Sequence, residues 1–208
     1  MLEIIKPMDI EKRSFEIITE LLGDTKIAPE NELVVKRVIH TSADFDYAQN
    51  LVFSEGAVAK GIEALRSGCD IVTDTQMARA GINKTILGKL GGEVHCFMSD
   101  QDVAAEARER GITRAIVSME KAATLEKPCI FAIGNAPTAL IAIKGLMEAG
   151  KLHPALIIGV PVGFVNVVES KEEIIEANLA PYIVARGRKG GSNVAAAICN
   201  AMLYQITR

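Results

Sequence analysis

Five short apolar runs constrain this chain more than any other feature: CDIVTD at 69–74, EVHCFMS at 93–99, PCIFAIG at 128–134, PALIIGV at 154–160 and PYIVAR at 181–186. Each is nearly continuous in apolar residues rather than alternating. That is the pattern of a strand buried on both faces. Helical patterns lie between them. Residues 55–67 set Val58, Ile62 and Leu65 on one face, and Gly68 follows as a stop. Residues 83–90 open at Asn83, a good N-cap. Residues 101–126 form one long helix or two, with Gly111 as the break. Residues 137–149 run from Pro137 to Gly150, residues 170–178 open on Ser170 with Glu173 as a capping box, and residues 192–206 form the last helix.

Such alternation predicts a parallel sheet covered by helices on both faces. The expected fold is a three-layer α/β/α arrangement with a mainly parallel, five-stranded, flavodoxin-like sheet. Ligands of open sheets of this kind bind at the carboxyl ends of the strands. The loops that matter are then 74–80, 98–101, 134–138, 160–169 and 186–193. The first fifty residues add a helical segment. DIEKRSFEIITELLG repeats Ile10, Phe15, Ile18 and Leu22 at helical spacing, and PENELVVKRVIH reads as a second helix with His40 at its end. No repeat, low-complexity tract or linker divides the chain, so residues 1–208 are expected to form one domain.

Hydrophobic residues make up 49% of the chain, enough to build a core. The net charge of −3 argues against a general nucleic-acid binder, which carries a basic excess. The N-terminus lacks the apolar stretch of a secretory leader, and no run reaches the roughly 18 apolar residues that span a bilayer. A soluble cytoplasmic protein, with no membrane and no nucleic-acid partner, is the expectation. Cys69, Cys96, Cys129 and Cys199 form no CxxC pair and read as buried thiols.

Several constellations can carry chemistry. In IGNAPTALIAIKG (133–145) a strand runs through Gly134 and Asn135 into a helix opened by Pro137. Its free N–H groups suit a carboxylate or phosphate, or it is a plain strand–helix turn. RGRKGGSNVAAAICN (186–200) sets Arg186, Arg188 and Lys189 before a glycine pair and a helix start. It attracts anions or is a solvated basic loop. Its lysine precedes the glycines, so it is not a Walker-type ATP loop. In GVPVGFVNVVESKE (159–172), Gly163 allows close approach by a flat ligand, or the stretch is ordinary loop. His95 and His153 read as structural, and no histidine spacing supports a protein-built metal site. His40, in RVIHTSADFDY (37–47), is the better candidate for proton chemistry, although a lone histidine at a helix end is more often a cap or surface group. Asp44 and Asp46 read as loop chemistry. Arg13 and Ser14 on the first helix, and Arg114 at a helix start, could meet acidic groups or be surface residues.

Taken together, EKRSFEII (11–18), RVIHTSAD (37–44), IGNAPTAL (133–140), GVPVGFVNVVESKE (159–172) and RGRKGGSNVAAA (186–197) resemble the precorrin-8X and cobalt-precorrin-8 methylmutases of cobalamin biosynthesis. The resemblance runs from about residue 8 to 203. It implies an isomerase that moves a methyl group from C-11 to C-12 of a tetrapyrrole, giving hydrogenobyrinate or its cobalt counterpart, with no external cofactor. It implies that His40 hydrogen-bonds or protonates the ring, and that Ser14 and Arg114 lie in the substrate pocket. It also implies a homodimer with the site near the subunit interface. Arg13, Asn135, Gly163 and Arg188 are the further residues expected to meet the corrinoid and its acidic arms. The rival reading is a non-catalytic corrinoid-binding module on the same sheet.

Overall fold

The computed structural model describes residues 5–207. Helices α1 (Ile10–Leu22) and α2 (Glu32–Ser42) come first, then a short α3 (Tyr47–Asn50) and strand β1 (Leu51–Phe53). Thereafter strands and helices alternate: α4 (Ala57–Arg66), β2 (Asp70–Thr73), α5 (Gln76–Gly81), α6 (Lys84–Lys89), β3 (Val94–His95), α7 (Gln101–Arg110), α8 (Arg114–Ala122), β4 (Cys129–Ile133), α9 (Pro137–Glu148), β5 (Leu156–Gly159), α10 (Val167–Ala177), β6 (Tyr182–Ala185) and α11 (Ser192–Thr207). The sheet order is β1-β6-β5-β4-β2-β3. All pairings are parallel except β1 with β6, which sets Leu51 opposite Ala185.

The sheet therefore has six strands where the apolar runs announce five. The additional strand, β1, has only three residues, pairs on one side and is only partly buried, so no long apolar run marks it. Strand β3 is shorter than its run, because the chain turns into a 3₁₀ segment at Phe97–Ser99. Residues 101–126 divide at Gly111, whose φ of +65° closes α7. Asn83 caps α6 by accepting the Ile86 N–H at 3.0 Å. Helix α10 begins three residues earlier than a capping box at Ser170 requires. Ser170 is buried inside the helix and donates to the Val167 carbonyl at 3.1 Å.

Strand residues alternate between two cores. Ile71, Ile130, Ala132, Leu156, Ile158 and Ile183 pack with α4 and α11. Val72, Phe131, Ile133, Ile157 and Val184 pack with α8, α9 and α10. Every one of these residues is buried, which explains why the strands are apolar without a break. Helix α11 is buried almost all round, from Val194 to Leu203, because α2 packs on its outer side and α1 packs on α2. The N-terminal pair thus forms an outer layer. All four cysteines are free and buried. Burial pushes the Cys129 thiol up to about 11 and Cys69 to about 12, which makes both inert at neutral pH. Among the described residues, no helix is long and apolar enough to cross a membrane.

Candidate active site

The carboxyl edge of the sheet is built around one carboxylate. Asp74, one residue past β2, is buried and accepts the N–H groups of Gly134, Asn135 and Ala136 at 2.9, 2.8 and 2.6 Å. Burial pushes its carboxyl up, and the three donors pull it back. These are the amides that the sequence offers to a ligand carboxylate ahead of Pro137. They are already taken, so an incoming acidic group cannot use them. The glycines are spent internally as well. A Cβ on Gly134 would stand 2.7 Å from Ser192 Cα, and one on Gly190 would stand 2.1 Å from the Val160 carbonyl oxygen. They let the chain pack against itself and do not form open walls for a flat ligand.

The basic run 186–189 sorts itself by pairing. Arg186 meets Glu172 at 3.2 Å. Lys189 meets Asp44 and Asp46 at 2.7 and 2.6 Å. The Lys189 ammonium hydrogen-bonded to Asp44 holds that carboxyl below its ordinary value. The Arg188 guanidinium is exposed and has no hydrogen-bond or ion-pair partner among the described residues. The same holds for Arg114, the first residue of α8. Thr113 donates to Thr138 at 3.0 Å, which sets the start of α8 beside the start of α9 at this same edge. Asn135 has an exposed side chain here, and Gly163, at φ +145°, donates its N–H to the Arg188 carbonyl at 3.2 Å. Arg114, Asn135, Gly163 and Arg188 therefore share one edge.

Apolar side chains stand open beside them. Met77, Val162, Phe164 and Val165 are 70, 47, 82 and 79% exposed. Phe45, between the two acids that hold Lys189, is 37% exposed. None of these five stood out in the sequence. The available signal was PVGFV itself, an apolar stretch in an irregular loop with no helix or strand to bury it.

His40, Ser14 and Arg13 sit on the outer helical pair. His40 lies in the last turn of α2, exposed, with its ring 5.6 Å from that of Phe15. The helix ends through Ala43 at φ +54°, a left-handed conformation costly for any residue but glycine. Ser14 donates to the Ile10 carbonyl at 2.9 Å within α1. Arg13 is occupied by Glu16 and Glu20 at 3.5 and 3.6 Å, which weakens its claim on a substrate arm. Among the described residues, no hydrogen bond, ion pair or ring contact joins His40 or Ser14 to Arg114, Asn135, Gly163 or Arg188. Asp44 and Asp46, four and six residues past His40, make the connection through Lys189. The acids read as mere loop residues thus moor the His40 segment to the basic loop.

Sequence reasoning also missed Lys171, whose side chain is fully buried. Its Nζ donates to the carbonyls of Gly187 and Lys189 at 2.8 and 2.9 Å. The signal lay in the helical stripe Val167, Ser170, Lys171 and Ile174, all buried. With the helix opened at Ser170, that stripe disappears and ESKE looks like a solvated turn.

Similarity to known proteins follows the whole chain. The family model described as precorrin-8X methylmutase matches residues 9–205. A Priestia megaterium protein named cobalt-precorrin-8 methylmutase is 47% identical over 198 residues, covering 95% of this chain and 88% of its own. A Pseudomonas aeruginosa protein named precorrin-8X methylmutase is 39% identical, covering 93% of each. The crystal structure of precorrin-8x methyl mutase from Thermus thermophilus superposes with a TM-score of 0.87 at 37% identity, over 96% of this chain and 98% of that one.

Proposed function

Because the chain belongs to the precorrin-8X methylmutase family, isomerases of cobalamin biosynthesis, we propose that its carboxyl edge binds precorrin-8X or cobalt-precorrin-8 and that His40 serves the methyl shift. One observation carries the reading: unpartnered guanidinium groups, Arg114 and Arg188, share an edge with open apolar side chains. A corrinoid is a flat apolar ring fringed with acetate and propionate arms. Guanidinium groups meet carboxylates bidentately, and exposed Phe and Val suit the ring faces. The filled amides under Asp74 favour a ligand held by side chains over one held, like a nucleotide phosphate, at a helix start.

The reaction moves the methyl group from C-11 to C-12 of one molecule, a 1,5-sigmatropic shift that needs no second substrate. The protein has to hold one conformer of the ring and place one proton or hydrogen bond beside it. Orientation and preorganised charge supply that. His40 is suited to the proton, with its exposed ring at a helix end next to the moored 44–46 segment. Ser14, one helix away, is assigned to hold the substrate. We read residues 1–208 as one domain of flavodoxin-like strand order with an antiparallel edge strand added, acting in the cytoplasm. A homodimer fits the outer helical pair. Ile10, Ile17, Leu21 and Leu33 are exposed there, beside a groove of about 790 Å³ lined by Phe15, Arg37 and Tyr204.

Purified protein should convert metal-free or cobalt-loaded substrate, followed by the change in visible absorption. His40→Ala should lower turnover at least about 100-fold and still bind the product. Undiminished turnover in that variant would sink the role given to His40. Binding without turnover in the unaltered protein would favour a binding module.

A further inference from the structure

Lys171 is an expensive residue in its position. An ammonium taken out of water needs acceptors, and a buried cation with no carboxylate against it usually costs stability relative to an apolar residue of similar size. Among the described residues its hydrogen-bond acceptors are two backbone carbonyls, of Gly187 and Lys189. Neighbouring Glu172 is engaged by Arg186. The carbonyl between the two, that of Arg188, accepts the Gly163 N–H. Three consecutive carbonyls of the basic loop are therefore held from within, two by one side chain on α10. The side chains of Arg188 and Lys189 face outward, with Arg188 exposed and Lys189 on Asp44 and Asp46.

We propose that Lys171 is a positioning residue for substrate binding: its buried ammonium fixes the 187–189 backbone, so that Arg188 is presented to the acidic arms and Lys189 to the His40 segment. This rests on the function proposed above. It goes beyond it by naming a residue that touches no substrate. Mutual packing of the loops at Gly190 and Val160 adds rigidity but supplies no donor to the carbonyls of 187 and 189.

Two measurements test it. In a double-mutant cycle with the product corrinoid, Lys171→Met should weaken binding about tenfold in the natural background and less than about twofold with Arg188→Gln already present, because the two act as a unit. Equal loss in both backgrounds, or none, overturns the proposal. Without ligand, amide exchange in Lys171→Met should quicken at Gly163 and Gly191 and stay unchanged at Ile71, whose N–H bonds Glu93 at the opposite edge. Equal acceleration at both edges would mean general loosening and would also overturn it. Should Lys171→Met fail to fold, Lys171→Gln, which keeps N–H donors on a shorter stem, is held to an intermediate effect in both measurements. Unaltered protein that binds no corrinoid, while the variant shows the local exchange change, counts against the proposed function and in favour of the clamp.

Discussion

The two edges of the sheet hold similar ingredients and put them to different ends. At the amino edge, His95 meets Asp70 at 3.0 Å, Lys127 lies 3.6 Å from the same acid, and the Glu93 N–H completes the set at 2.9 Å. A cleft of about 280 Å³ lies nearby, lined by Cys129, Lys151 and His153. A histidine, an acid, a lysine, a thiol and a cavity make an inviting inventory. Yet Asp70, His95 and Lys127 satisfy one another, and the thiol is too weak an acid to react. At the carboxyl edge, Asp74, Lys171 and Lys189 are just as thoroughly engaged, but Arg114, Arg188 and five apolar side chains are left over. Residue type alone does not distinguish the edges. Lys151 and His153 stay exposed at the amino edge too, and what the carboxyl edge adds is unpartnered guanidinium groups set beside open apolar side chains.

The contrast can be broken most forcefully at Asp74. Asp74→Ala removes the shared charged acceptor of three N–H groups, one buried and two part-buried, hydrogen bonds of about 1.5–3 kcal/mol each. A urea titration should show at least about 3 kcal/mol of lost stability. A midpoint close to the natural one would mean that water replaces the carboxylate. Next comes pH. Burial draws Lys171 down to about 8 from its ordinary 10.5, so the unfolded chain binds more protons between those values. Stability should therefore rise as pH climbs from 8 to 10.5, by up to roughly 3 kcal/mol relative to Lys171→Met. A flat difference between the two proteins over that range would contradict it. Arg188→Gln should raise KM for the polyacidic substrate about tenfold and leave the urea midpoint in place. The smallest effect sharpens the contrast from the other side. His95→Gln should leave turnover unchanged and cost no more than about 1 kcal/mol. A large loss of turnover would move the chemistry to the amino edge.

Much of this was legible in the sequence. The strands were readable because burial on both faces forces them apolar, as at Ile130–Ile133. Strand β1 was not, because three residues paired on one side leave no signature. His40 was visible as a titratable group at a helix end, while its mooring through Asp44, Asp46 and Lys189 joins residues more than 140 positions apart. Periodicity within a segment cannot report such a contact. Lys171 was hidden because a helix opened at Ser170 leaves Val167 outside it, and the buried stripe loses the residue that anchors its start. The amides around Asn135 look free from local sequence, since nothing nearby says which acid crosses from the neighbouring strand to fill them.

That occupancy has a consequence for selectivity. Asp74 is tethered where it binds, so it gives up no translational freedom in filling those amides, whereas a free anion must. Inorganic phosphate, nucleotides and other small anions of the cell meet a berth with a permanent tenant. At the turn into α9, a place where folds of this kind often hold phosphates, this chain has spent its own amides on its own carboxylate.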